Sequence, residues 1–177
     1  MSKQSLVVLV TGTSSGFGRA ISVALAAAGH RVYGTTRASS AQSGPGVLPL
    51  ALDVTRDDQV QAGVAQIMRD AGRIDALVNN AGIGIAGAVE DFTIEEVKQQ
   101  FDTNFFGVHR MCRAVLPHMR KQGSGHIVNM SSLGGIVSLP FGSMYCASKF
   151  ALEAYSEALR MEVRPFGIWV SLIEPGD

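Results

Sequence analysis

Six short apolar runs recur along the chain, separated by longer segments of mixed polarity. Residues 6–10, 32–36, 47–52, 76–78, 127–130 and 168–173 are close to continuously apolar and do not alternate. Runs of this length predict strands buried on both faces, the pattern of a parallel sheet covered by helices. The segments between them predict helices. Residues 19–28 form one, stopped by Gly29. A second covers residues 57–71, with a cap near Thr55 and Asp58 three positions on. Thr93 opens a third, and Glu96 completes its capping box. Two long helices cover residues 104–121 and 145–163. The stretch "ASSAQSGPG" (38–46) reads as a surface loop. The chain contains neither an internal repeat nor a linker, so residues 1–177 read as one domain. Strand and helix in regular alternation predict an α/β, doubly wound parallel sheet, with ligands at the carboxyl ends of its strands.

The first such end carries "TGTSSGFG" (11–18), between strand one and helix one. Gly12 permits a tight turn; Gly16 and Gly18 let backbone approach a ligand and let helix pack on strand. A helix start offers free N–H groups and the positive end of a dipole, which suits phosphate. The whole turn, Gly12, Thr13, Ser14, Ser15, Gly16, Phe17 and Gly18, is therefore a candidate cradle for a pyrophosphate. Its spacing is G-x-x-x-G-x-G, and no Gly-Lys-Ser/Thr follows, so it is not a nucleotide triphosphate loop. A plain strand-to-helix turn is the alternative. Strand two ends "GTTRASS". Thr36 stands where an acid would meet a ribose 2′-hydroxyl, and Arg37 is next. A guanidinium grips phosphate with a bidentate fork, which favours NADP over NAD, with NAD still possible. The alternative for Arg37 is a solvated strand-end charge.

Further on lies "NMSSLGGIVSLPFGSMYCASKF" (129–150). Tyr145 and Lys149 are four apart on a predicted helix, so their side chains share a face. A free tyrosine has a pKa of about 10; an ammonium beside it favours the phenolate, and a tyrosine so tuned exchanges a proton near neutral pH. Ser131 and Ser132 end a strand, where a hydroxyl can hydrogen-bond a carbonyl. Taken alone, such a Tyr/Lys pair is more often surface.

Taken together, "TGTSSGFG", "NNAG" (79–82), Asn104 in "FDTNFFG", "NMSS" (129–132), "YCASK" (145–149) and "EPG" (174–176) resemble the short-chain dehydrogenase/reductase family. "RIDALVNNAGIG" and the stretch from "SKFALEAYSEAL" to "SLIEPG" look most like its 17β-hydroxysteroid-dehydrogenase-like branch. The resemblance implies a Rossmann-like, three-layered dinucleotide-binding domain. It implies that Tyr145 is the catalytic acid/base, and that Lys149 lowers its pKa and holds the nicotinamide ribose. Ser132 would orient the carbonyl, with Ser131 as the other candidate. Asn104 would hold a water in the proton relay; its alternative is a helix cap or kink. Asp53, next to Val54, would meet the adenine, or only terminate strand three. Asn80, Ala81 and Gly82 would lie beneath the adenine ribose, while Asn79 ties strands together. Pro175 and Gly176 would form the turn near the nicotinamide. Where relatives continue, this sequence stops at "EPGD". The expectation is either a C-terminally truncated form or part of a longer chain; without the last strand and the substrate-covering helices, strand six is an open apolar edge.

The implied activity is an NADP-preferring oxidoreductase that interconverts a secondary alcohol and a ketone or aldehyde, on a steroid-, retinoid-like or other lipophilic small molecule. The contrasting reading is a truncated, non-catalytic nucleotide-binding or dimerisation module. In the family the two long helices pair across a dimer interface, and the apolar surplus of helices 104–121 and 145–163 fits a homo-oligomer.

Composition narrows the partners. Fifteen Lys and Arg balance fifteen Asp and Glu. Without a basic block, a nucleic-acid partner is not expected. No run approaches the roughly 20 apolar residues of a membrane span. The N-terminus is too short and too weakly basic for a signal peptide. Cys112 and Cys146 have no metal-like spacing and imply a reduced, cytoplasmic setting. His30, His109, His118 and His126 have none either, so all four read as structural and no metal is expected. Met111, Met119 and Met161 read as core or subunit contacts.

Overall fold

The computed structural model describes residues 5–37 and 43–176; the predicted loop at 38–46 lies outside the described residues in its first five positions, as does part of the N-terminal segment. Six strands form one sheet: β1 (Val7–Val10), β2 (Arg31–Thr36), β3 (Val47–Ala51), β4 (Ala76–Asn79), β5 (Gly125–Met130) and β6 (Ile168–Ile173). Their order is β3-β2-β1-β4-β5-β6. Every pairing is parallel, with Leu9 opposite Tyr33 and Leu77, and Asn79 opposite Asn129. The order reverses between β1 and β4, and a crevice opens there at the carboxyl ends of the strands.

The described residues form five α-helices, α1 (Gly16–Ala27), α2 (Asp57–Ala71), α3 (Ile94–Phe101), α4 (Gly107–Gln122) and α5 (Ser143–Val163); α3 packs on α5, and the other four pack on the sheet. Leu9, Leu77 and Ile127 of the sheet meet Ile67 of α2, Met111 and Val115 of α4 and Leu152 of α5 in the larger core. The opposite face packs Val8, Val10, Val32, Val78 and Met130 against Ile21, Val23 and Leu25 of α1. These are the three layers expected. Met111 and Met119 are core residues, whereas Met161 is 72 % exposed. β6 is an edge strand, and its Trp169 and Ile173 stand exposed. Among the described residues no helix is long and apolar enough to cross a membrane, and no cluster of His, Cys, Asp or Glu could hold a metal ion.

Three local expectations need correction. Helix α1 begins at Gly16 and not at residue 19, so the last two glycines of the turn are helical. Thr55 does not cap α2: Arg56 is the N-cap, and the Thr55 hydroxyl donates to Asp53 Oδ1 at 2.8 Å. The helix expected from residue 104 has no start there. A π-helical turn (Asp102–Phe106) joins α3 to α4 without a break. The Thr93–Glu96 capping box is present in both directions. Asn79 does tie strands, donating to Asn129 Oδ1 at 2.9 Å.

Candidate active site

The glycine turn sits at the reversal point of the sheet. Gly12 has φ +70, and a Cβ there would lie 2.9 Å from Ala81 Cα. A Cβ on Gly18 would lie 2.2 Å from Gly12 O, so α1 seats on the turn only because that side chain is absent. Gly16 also has positive φ (+55), and a Cβ there would meet nothing within 4 Å. It borders an open cleft of about 500 Å³. Ser15, the N-cap of α1, makes no side-chain capping bond, and the first turn holds no acid. The helix thus presents uncapped N–H groups and no repelling charge to the cleft.

Gly12, Ser14, Ser15, Gly16 and Phe17 line this cleft, with Arg37 after β2, Asp53 and Val54 after β3, and Asn80, Ala81 and Gly82 after β4. Two residues of the predicted cradle do not line it. Gly18 is buried against backbone. Thr13 is fully buried and turned toward β2, where its hydroxyl donates to Ser43 Oγ at 2.7 Å and to Thr35 O at 3.2 Å. Its side chain anchors the turn and faces no ligand. Asp53 Oδ1 accepts from the Thr55 N–H and hydroxyl, which fixes the carboxylate at the rim. Asn80 lines the cleft and also clamps it: Nδ2 donates to Thr11 O and Gly12 O.

A second cleft, of about 560 Å³, shares Phe17, Asn80, Gly82 and Ile83 with the first. Ser131, Ser132, Tyr145, Lys149, Pro175 and Gly176 line it. α5 supplies Tyr145 and Lys149, and their four-residue spacing puts Lys149 Nζ 5.6 Å from the Tyr145 ring centroid. The ring stands between backbones: Cβ atoms on Gly84 and Gly134 would approach it to 3.8 and 3.3 Å. Lys149 is buried, and Nζ donates to Met130 O at 2.7 Å. Loss of hydration pushes the lysine down to about 8 from its ordinary 10.5, and the Glu153 carboxylate pulls the other way. Ser132 Oγ accepts from Gly134 N–H at 3.1 Å, so its own proton is left to donate into the cleft. Ser131 Oγ is buried and without a partner.

Asn104 is buried within the π-helical turn. Its Oδ1 accepts from Ile83 N–H at 2.8 Å, and its Nδ2 donates to Ile83 O and to Ser148 Oγ. Ser148 in turn donates to Tyr145 O at 2.7 Å. The side chain thus latches the segment after β4 to α5. Sequence reasoning missed Thr11, whose Oγ1 accepts from Asn80 N–H and Ala81 N–H, both at 3.0 Å. It also missed Gln99, Asp102 and Thr103, which close the nucleotide cleft from α3 and the turn after it. Position directly before the glycine turn was the one signal available for Thr11.

The family model described as short chain dehydrogenase matches residues 6–177. The chain belongs to that family. It is 52 % identical over 174 residues to a 3-ketodihydrosphingosine reductase of Bacteroides thetaiotaomicron, covering 98 % of this chain and 64 % of the relative. It is 40 % identical over 185 residues to human 17-beta-hydroxysteroid dehydrogenase type 1, covering 96 % and 56 %. It thus spans less than two thirds of the length of these relatives. The crystal structure of a short-chain dehydrogenase from Streptomyces avermitilis superposes with a TM-score of 0.94 at 45 % identity, covering 99 % of this chain and 67 % of the other. A metagenomic short-chain oxidoreductase solved in complex with NADP superposes with a TM-score of 0.90 at 32 % identity, covering 97 % and 82 %. A dinucleotide fits the residues of this chain on their own geometry. The N–H groups of α1 are uncapped, the glycine at residue 16 keeps the cleft open, and a cationic side chain stands at the end of β2.

Proposed function

We propose that this chain carries the nucleotide site and reacting centre of an NADP-preferring oxidoreductase. The reaction interconverts a secondary alcohol and a ketone or aldehyde. The observation that carries the reading is that Ser132, Tyr145 and Lys149 line one cleft, continuous with the glycine turn. Arg37 on the wall of the neighbouring cleft supports the choice of NADP, its fork matching a 2′-phosphate. Lipophilic substrates are favoured by the rim of the reaction cleft, where Phe17, Leu133 and Leu139 are each 46–62 % exposed. Relatives named for a steroid and for a sphingoid ketone agree with this.

The glycine turn and α1 would hold the pyrophosphate, Asp53 and Asn80–Gly82 the adenosine, and Lys149 with Pro175 and Gly176 the nicotinamide end. The nicotinamide held there would supply or take up the hydride at the substrate carbon. The chain's own residues handle the rest. Ser132 donates its free O–H to the substrate oxygen and orients it. Tyr145 gives that oxygen its proton in reduction and takes it back in oxidation. The Lys149 ammonium lowers the energy of the phenolate so formed. Asn104 keeps the segment after β4 and α5 in register around the tyrosine through Ile83 and Ser148, and its match to the family's relay asparagine supports a role in the proton relay. Tyr145→Phe is expected to abolish turnover of a ketone panel while NADPH affinity stays within about threefold. Retained turnover would sink the assignment.

A second reading concerns assembly. Phe150 and Met161 of α5 stand exposed eleven residues apart, on one face of the helix, and Phe106 is exposed at the start of α4. They support pairing of α4 and α5 with a second copy. The non-catalytic module remains the alternative should Tyr145→Phe leave every measured property unchanged.

A further inference from the structure

Glu153 follows Lys149 by four residues on α5, so the two side chains lie on the same face of the helix. Glu153 is half-buried, and one of its carboxylate oxygens, Oε1, is out of solvent. It presses against the short 3-10 turn at Leu133–Gly135, which follows β5. A Cβ on Gly135 would come within 3.1 Å of Glu153 Oε1, 3.2 Å of Glu153 Cγ and 2.7 Å of Ser131 Oγ. Glu153 Oε1 and Ser131 Oγ are both buried, and neither has a hydrogen-bond partner. A hydroxyl with a free proton thus borders the same small space as a carboxylate oxygen that lacks a donor.

An ammonium as buried as that of Lys149 needs a nearby negative charge. Its environment offers few. α5 contributes Tyr145 and Glu153. β5 gives the Met130 carbonyl, and the turn after it gives the hydroxyls of Ser131 and Ser132. The segment after β4 gives backbone, apolar groups and the amide of Asn80, and the π-helical turn gives the amide of Asn104. Glu174 at the end of β6 is exposed. Glu153 is the charge whose field acts on Lys149. We propose that Glu153 is the positioning residue for Lys149, a carboxylate held between its own helix and the 3-10 turn at Leu133–Gly135 that serves as the counter-charge of the buried ammonium. A side chain at Gly135 would collide first with Ser131 Oγ and would crowd the carboxylate behind it.

The inference deepens the reading of Tyr145 and Lys149 as the reacting pair and rests on it only for the effect on turnover. Its test is made on the free protein. The chain has four lysines, Lys3, Lys98, Lys121 and Lys149. Protein labelled with 13C at lysine Cε gives one resonance for each, and Lys149→Met assigns that of Lys149. The wild-type midpoint is expected near 8. Glu153→Gln should bring it roughly one pH unit lower. Glu153→Asp keeps the charge but withdraws it by one methylene, and its midpoint should fall between the two. The alkaline limb of kcat/KM should move with the midpoint. Equal midpoints in wild type and Glu153→Gln would overturn the proposal. If Glu153→Gln does not fold, an Asp variant whose midpoint is not below wild type overturns it equally. Failure of the Tyr145→Phe test would leave these midpoints untouched, so the two ideas fail separately.

Discussion

Lys149 and Arg37 show what single side chains contribute. Below about pH 8 the lysine is charged in both the folded and the unfolded chain, and the fold bears the full desolvation penalty. Between about 8 and 10.5 the unfolded chain binds a proton that the fold has released, so this group makes stability rise with pH. Above 10.5 the penalty is gone. Lys149→Met is therefore expected to gain stability relative to wild type below pH 8, and to lose that advantage by pH 10.5, as read by urea unfolding across pH. A difference independent of pH would contradict the buried charge. Arg37→Asp should shift the NADPH/NADH affinity ratio toward NADH by about 10- to 100-fold, the weight of one or two charged hydrogen bonds. An unchanged ratio would show that the guanidinium does not meet a 2′-phosphate. At this scale the candidate Tyr145, Lys149 and Ser132 cluster was legible, because helical spacing and a strand end fix where those side chains point. Thr13 was not. A loop side chain can face either way, and here the Thr35 carbonyl and Ser43 hydroxyl draw it inward.

Elements hold these side chains through close backbone approach. Helix α1 meets the turn at Gly18, where even one methyl group would collide with Gly12 O and Asn80 Nδ2. Gly18→Ala should destabilise the fold by about 1–3 kcal/mol and weaken NADPH binding, because the helix must shift off its seat. Calorimetry with and without NADPH would check both; a variant with unchanged melting and affinity would refute the packing role. Strand positions and the Thr93–Glu96 box were legible from apolar runs and capping chemistry. The cap at Thr55 was misread because Asp53, two residues earlier, takes the hydroxyl. The π-helical turn was invisible to a 3.6-residue period. It exists where Asn104 turns inward to bond Ile83 and Ser148, contacts that lie 21 and 44 residues away in sequence.

At the scale of the whole molecule, six buried runs alternating with helices led to the parallel sheet, and the sheet's reversal point fixed the place of both clefts. The uneven clothing of the sheet was not legible, since apolar runs do not say which face each helix takes. α1 covers one face, while α2, α4 and α5 cover the other. Pairing of copies through α5 can be tested by sedimentation: Met161→Glu should lower the association constant at least tenfold, by placing a charge within an apolar contact. An unaltered mass distribution would remove that surface from the account. The central claim, that the two joined clefts form an NADP(H) site, is tested most directly by isothermal titration of the purified chain with NADPH and with NADH. Saturable binding of both is expected, with NADPH at least tenfold tighter. Absence of binding by either, or tighter binding of NADH, would contradict it.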